Sequence, residues 1–167
     1  MNPEFLSGEA SASPAVEPLL AGARRLAAAG FGAGALSARN GLRTTTHANL
    51  PLVMLTAQDF VEVADYDPHL DRTLCIGKRE PHVHAGLHTL ILRAKKEVGA
   101  IVMVELPQDA ALDVPQVKRG HTQLENALAA LEGLRGRDSI RLGPSLIVVG
   151  KSPDDALARA FALLGVA

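Results

Sequence analysis

The chain has 167 residues, enough for one domain with a buried core, and its 47% apolar and 21% charged residues are typical of a globular protein. A formal net charge of −1 and only 3% aromatic residues argue against a nucleic-acid partner and against an anionic membrane surface. The single cysteine excludes an internal disulfide, and no apolar run reaches the length of a membrane span, so we predict a cytoplasmic protein.

The predicted elements begin after a loose N-terminal segment. Residues 1–13 are small and polar without periodicity, which predicts a flexible tail, and residues 14–167 form the one predicted domain. Pro14 suits the first turn of a helix whose apolar positions recur at helical spacing until Gly30 ends it. A glycine-rich turn follows and leads into a strand that reaches Asn40.

The next part of the chain predicts short strands separated by turns. In chain order we expect a polar loop at 44–49, a strand at 50–55, a helix-capping turn at 56–59, a strand at 60–64, a loop at 65–72 and a strand at 73–76. Such an early cluster of strands favours a largely antiparallel sheet over strict alternation of strands and helices.

The central stretch, PHVHAGLHTLILRAKKEVGAIVMVELP, contains most of the residues with candidate chemistry. It predicts a loop with His82 and His84, a helix over 84–96 and a buried central strand over 99–105. His84 and His88 are four residues apart, so they share one face of the helix. The strand is apolar until Glu105, and a carboxylate at that position, close to histidines, is a common arrangement in active sites.

The last third predicts two helices around one more strand. After a loop to His121, residues 122–134 form an amphipathic helix that we expect to bury Leu124, Leu128 and Leu131. A charged turn at 135–141 and a strand at 146–149 follow. Ser152 and the proline after it predict the start of a final helix that ends at Gly165.

The order and spacing of these segments resemble the class II aldolase/adducin family along nearly the whole chain. The resemblance implies a three-layer α/β/α fold with a central, mostly antiparallel sheet flanked by helices, and a homo-oligomer with its site at a subunit boundary. The segments that resemble family motifs are GALSAR (34–39), LTAQDFVEVAD (55–65), PHVHAGLH (81–88), GAIVMVELP (99–107) and PSLIVVGKSPDDA (144–156).

The positions that carry chemistry in this family are changed here. The resemblance implies that the three metal-binding histidines correspond to Met103, Glu105 and Pro144, and that the catalytic acid/base glutamate corresponds to His84. The two phosphate-binding serines correspond to His82 and Val83. Proline has no side-chain donor, and a thioether is a poor ligand for zinc or manganese beside carboxylates, so the family's metal site cannot form from these residues.

Two hypotheses follow from this pattern. In the first, the protein is non-catalytic, needs no cofactor and acts as an oligomerising or ligand-binding module, with Gly34, Ser37 and His82 as candidate ligand-binding residues. Loss of the old site would then leave Met103, Val83 and Pro144 filling its cleft. In the second, a metal-dependent lyase-like enzyme uses a rebuilt zinc or manganese site of His84 and Glu105, with His84 also as catalytic residue, on a small sugar, phosphorylated or not, or on a carbonyl compound.

Overall fold

A computed structural model describes residues 1–107 and 110–166 of the chain. Its strands are β1 (Asn2–Ser7), β2 (Gly34–Asn40), β3 (Arg43–His47), β4 (Phe60–Asp67), β5 (Arg72–Ile76), β6 (Ala100–Glu105), β7 (Gln116–Val117), β8 (Ser139–Leu142) and β9 (Ser145–Gly150). Its helices are α1 (Val16–Ala28), α2 (Ala85–Ala94), α3 (Gln123–Gly133) and α4 (Pro153–Leu164).

The described strands form one sheet in the order β1-β5-β4-β3-β2-β6-β9-β8-β7. Only the pairs at the two edges, β1 with β5 and β7 with β8, are parallel. The inner pairs are antiparallel, and β6 lies between β2 and β9 with every residue from Ala100 to Val104 buried. The predicted mixed α/β class with a mostly antiparallel sheet is therefore confirmed, and so is the central position of β6.

Helices cover both faces of the sheet. On one face Val102 and Val104 of β6 belong to a core with α1 and α4. On the other face Ile101 and Met103 pack with α2 and α3. The strand is apolar throughout because both of its faces are covered, and each such buried side chain stabilises the fold by roughly 1.5–3 kcal/mol.

The predicted N-terminal tail is wrong for its first half. Residues 2–7 form β1, which pairs in parallel with β5 at one edge of the sheet. The amino group of Met1 makes an ion pair with Asp71, and the side chain of Ser11 donates a hydrogen bond to the buried Glu62. This strand depends on pairing with residues far along the chain, which a local pattern does not reveal.

Several shorter assignments also need correction. The predicted loop at 44–49 is mostly β3, because Thr44, Thr45 and Thr46 are β-branched and fully packed inside the sheet. The predicted strand at 50–55 is a 3-10 turn at Leu52–Met54. β4 extends into the loop expected at 65–72, and β7 and β8 form where a loop and a charged turn were expected.

The predicted ends of α4 are confirmed, whereas the predicted buried face of α3 is partly wrong. Ser152 accepts a hydrogen bond from the backbone N–H of Asp155, and Gly165 ends α4 with φ 65°. In α3, however, Leu128 is 59% exposed, and the residues that pack inward are smaller, namely Ala127 and Ala130. None of the helices in the described ranges combines the length and the apolar character that a membrane span requires.

Candidate functional site

A pocket of about 230 Å³ opens on the α2/α3 face of the sheet, where α2 begins. The starts of β2 and β9 and the end of β6 meet there, so side chains from three neighbouring strands and one helix start converge on it. Its lining residues are Ala33, Gly34, Ala35, Asn49, His82, Val83, His84, Met103, Glu105 and Ser145.

Most of the residues singled out from the sequence lie in this pocket. Gly34, His82, His84 and Glu105 all line it. Ser37 does not, because its hydroxyl is fully buried between two side chains of the core. The structure therefore does not offer Ser37 to a ligand, and the expectation that it binds one needs correction.

A chain of hydrogen bonds starting at Ser37 fixes the protonation of His88. The hydroxyl of Thr46 donates to the carbonyl oxygen of Leu36 at 3.1 Å, and the hydroxyl of Ser37 donates to Thr46 at 2.9 Å. Since each hydroxyl has only one proton, the 2.8 Å contact between Ser37 Oγ and His88 Nδ1 requires that Nδ1 donates. His88 Nε2 is then an unprotonated acceptor, and it is buried without a hydrogen-bond partner among the described residues.

His47 and His82 extend this group of imidazoles toward the pocket. His47 Nδ1 donates to the carbonyl of Ala48 at 2.6 Å, which leaves its buried Nε2 unprotonated. The His47 and His82 ring centroids are 5.0 Å apart. His82 Nδ1 accepts a hydrogen bond from the backbone N–H of His84 at 3.2 Å, so the proton of His82 lies on Nε2. Sequence analysis did not single out His47, because it falls in the stretch interpreted as a loop.

Burial keeps these four histidines neutral at neutral pH. Desolvation lowers the pKa of His47 to about 4, although the backbone carbonyls of Ala48 and Gly34 oppose the shift. Desolvation, with the nearby imidazoles, lowers the pKa of His82 to about 3. For His84, burial and then the charge of Arg119 lower the pKa to about 4, and burial lowers the pKa of His88 well below its usual value.

These protonation states limit what His84 can do as a catalytic residue. A general base works best when the pKa of its conjugate acid lies near the operating pH. With a pKa of about 4, the imidazole of His84 is a weak base at neutral pH and offers mainly a hydrogen-bonding group.

The side chains at the three positions that the family resemblance implies for metal ligands do not fit a zinc or manganese site. Met103 supplies a thioether that is 3% exposed, Glu105 supplies one exposed carboxylate, and Pro144 has no donor atom and lies outside the pocket lining. Across residues 1–107 and 110–166, no group of three or more His, Cys, Asp or Glu side chains is placed to hold a metal ion.

The cleft is nevertheless open. A site that had been filled in would show Met103, Val83 and Pro144 packed into it, but Val83 is 46% exposed and Pro144 is also exposed. Only Met103 is buried, and the pocket remains beside it. The expectation that these three residues fill the old cleft is therefore wrong.

Gln123 of α3 holds the start of α2 in place beside the pocket. Its Nε2 donates to the carbonyl of Val83 at 2.6 Å, and its Oε1 accepts from the backbone N–H of Leu87 at 3.2 Å. One side chain thus satisfies a free N–H in the first turn of α2 and fixes the loop before it. Sequence reasoning missed this residue, and it also missed Asn49 and Ser145, although Ser145 lies in the segment at 144–156 that resembles a family motif.

Comparison with known proteins places the fold. No protein-family model matches the sequence, and no curated protein matches it. Among solved structures, YgbL from Klebsiella pneumoniae, a putative aldolase/epimerase/decarboxylase, is 18% identical with TM-score 0.70, covering 91% of this chain and 86% of that one. The L-fuculose-1-phosphate aldolase from Thermus thermophilus is 21% identical with TM-score 0.67, covering 90% of this chain and 88% of that one.

A third similar structure gives the same result. An aldolase II superfamily protein from Pseudomonas syringae is 17% identical with TM-score 0.71, covering 92% of this chain and 75% of that one. At identities this low, the similarity shows a shared fold and does not show a shared activity. The sequence described here therefore folds as a class II aldolase-like α/β protein.

Proposed function

We propose that this protein is a non-catalytic, ligand-binding member of the class II aldolase fold, and that it binds a small polar molecule without a three-histidine metal centre. One observation supports the proposal most directly. The pocket is open, yet the side chains at the three positions of the metal ligands supply a single carboxylate, from Glu105. The cleft has thus kept its space while its donor set has changed.

The lining of the pocket suits binding better than carbon–carbon bond cleavage. Class II aldolase chemistry requires a metal to stabilise an enediolate. Here the described part of the chain has no group of three or more His, Cys, Asp or Glu side chains placed to hold a metal ion. The lining does contain hydroxyl, amide, imidazole and carboxylate groups around an apolar floor, which is the composition of a small-molecule site.

The alternative is a metal-dependent lyase-like enzyme with a site rebuilt from His84 and Glu105. One observation favours it, because both residues line the same pocket. It would need further ligands, and water or substrate would have to supply them, since a third protein donor is not placed there among the described residues.

Binding to the pocket can be tested with a variant that narrows its rim. Ala33 is exposed at the pocket, and Ala28 is exposed on α1, which covers the opposite face of the sheet. We expect small polyols and hydroxy-carbonyl compounds to raise the melting temperature of the wild type and of Ala28→Leu, with a smaller rise for Ala33→Leu. Equal rises in the two variants would place the binding outside this pocket.

We also propose that the protein is a homo-oligomer, as the family resemblance implies. Light scattering coupled to size-exclusion chromatography measures the mass of the particle in solution directly. A mass of two or more chains supports the proposal, whereas a mass of one 17.5 kDa chain at micromolar concentration would contradict it.

A further inference from the structure

Ser145 lines the pocket with a hydroxyl that has no hydrogen-bond partner among the described residues. The residue is 1% exposed and lines the pocket, and its Oγ is buried without a hydrogen-bond partner in the described part of the chain. Leaving a buried hydroxyl unpaired costs about 1–3 kcal/mol. A group that destabilises the folded state at the wall of an open pocket is a candidate for contact with whatever fills that pocket.

The register of the sheet directs this side chain toward the pocket. Ser145 of β9 is the cross-strand partner of Glu105 of β6, and two residues further along Ile147 pairs with Met103. Met103 and Ile147 both pack under α2 and α3. Because side chains alternate along a strand, Ser145 and Glu105 project to that same face, with Cβ atoms about 4.5–5.5 Å apart.

We propose that Ser145 and Glu105 together bind two adjacent hydroxyl groups of a small, uncharged polyhydroxylated molecule. This inference rests on the ligand-binding function proposed above and specifies the class of its ligand. The carboxylate of Glu105 only accepts hydrogen bonds, whereas the hydroxyl of Ser145 both donates and accepts. A vicinal diol meets this pair with one hydroxyl donating to the carboxylate and its neighbour bonding to Ser145. Asn49 and the Nε2–H of His82 lie in the same lining and offer further donors.

Size and charge narrow the class of ligand. A volume of about 230 Å³ lies just below the usual range of small-molecule sites, which favours a ligand of only a few carbons with their hydroxyls. Burial keeps the lining histidines neutral at neutral pH, and Glu105 is the one acidic residue among the lining residues. A phosphate or carboxylate inside the pocket would therefore meet like charge. Arg119, whose charge acts on His84, lies outside the lining residues.

The test uses the full chain with D-erythrose and glycerol as uncharged probes and dihydroxyacetone phosphate as the anionic one. Binding is measured by saturation-transfer NMR and calorimetry. We expect the uncharged probes to bind and Ser145→Ala to weaken them at least tenfold, while its melting temperature stays equal or rises because no existing bond is lost. Thr73→Val is the matched control, since Thr73 on β5 also has an unpartnered buried hydroxyl but lies outside the pocket.

The outcomes separate this inference from the function on which it rests. If the uncharged probes bind and Ala33→Leu weakens them while Ser145→Ala does not, the pocket binds ligands but Ser145 does not contact them, and the inference is wrong. If dihydroxyacetone phosphate binds more tightly than the uncharged probes and Arg119→Gln removes that preference, the ligand is an anion and the inference is wrong as well. If no probe binds, the ligand-binding function fails together with the inference.

Discussion

The buried histidines predict a steep loss of stability in mild acid. Burial lowers the pKa of His47 from 6.5 to about 4, so between these values the unfolded chain binds a proton that the folded chain does not. The stability is therefore complete above about pH 6.5 and falls as the pH is lowered toward the folded-state pKa. One such residue changes the free energy of unfolding by about 1.4 kcal/mol per pH unit.

The two histidines that line the pocket add to this slope. His82 and His84 have pKa values of about 3 and about 4, and both are partly buried, so their contributions are discounted for solvent and mutual coupling. Together with His47 they give a loss of about 2–4 kcal/mol per pH unit between pH 6 and pH 5. For a total stability near the lower end of the usual range, about 5 kcal/mol, we expect acid unfolding at about pH 4–5.

Urea unfolding followed by circular dichroism, repeated at half-unit steps from pH 7.5 to pH 5, measures the slope. We expect His47→Gln to reduce it by about 1.4 kcal/mol per pH unit, whatever the substitution does to absolute stability. His69→Gln, which changes an exposed loop histidine, is the matched control and should leave the slope as it is. A wild-type stability that is flat from pH 6.5 to pH 5, or a slope that His47→Gln does not change, would refute the reasoning.

Three further substitutions test the packing around the site by urea unfolding. The guanidinium of Arg39 donates to three backbone carbonyls at and just beyond the end of α2. Arg39→Lys should therefore lower the free energy of unfolding by about 2 kcal/mol, and an unchanged free energy would argue against these bonds. A Cβ on Gly99 would lie 2.0 Å from the carbonyl oxygen of Lys151, so Gly99→Ala should cost about 3 kcal/mol, whereas Gly32→Ala, in open space, should cost little. Gln123→Ala should lower the free energy of unfolding by about 1–2 kcal/mol, and it should weaken ligand binding because the start of α2 is released. Unchanged binding would show that other contacts hold the start of α2 in place.

The sequence patterns predicted those elements whose signals are local. The start and end of α4 follow from a capping serine, a proline and a glycine, and β6 follows from an unbroken apolar run. The strands β1 and β3 were missed because their stability comes from neighbours in the sheet, and a run of threonines is ambiguous until its burial is known. In α3, the close approach of α2 favours Ala127 and Ala130 over the larger Leu128 at the interface.

The sequence predicted some residues of the site and missed others. Family spacing located Gly34, His82, His84 and Glu105, and these residues converge on one pocket. The importance of Ser145 depends on a missing hydrogen-bond partner, which only the packed structure reveals. The predicted loop with His82 and His84 is partly buried, because it folds back against His47 and is held by α3.

Metal binding distinguishes most directly between a ligand-binding protein without a metal centre and a rebuilt metal enzyme. We would measure zinc and manganese by elemental analysis after purification without chelator or nickel resin, and titrate zinc by calorimetry into the wild type and into a variant with Met103→His, Glu105→His and Ser145→His, which places all three histidines in the pocket lining. We expect no stoichiometric metal in the wild type and a gain of zinc binding in the variant. Stoichiometric metal in the wild type that is lost in both His84→Ala and Glu105→Ala would contradict it and establish a rebuilt metal enzyme.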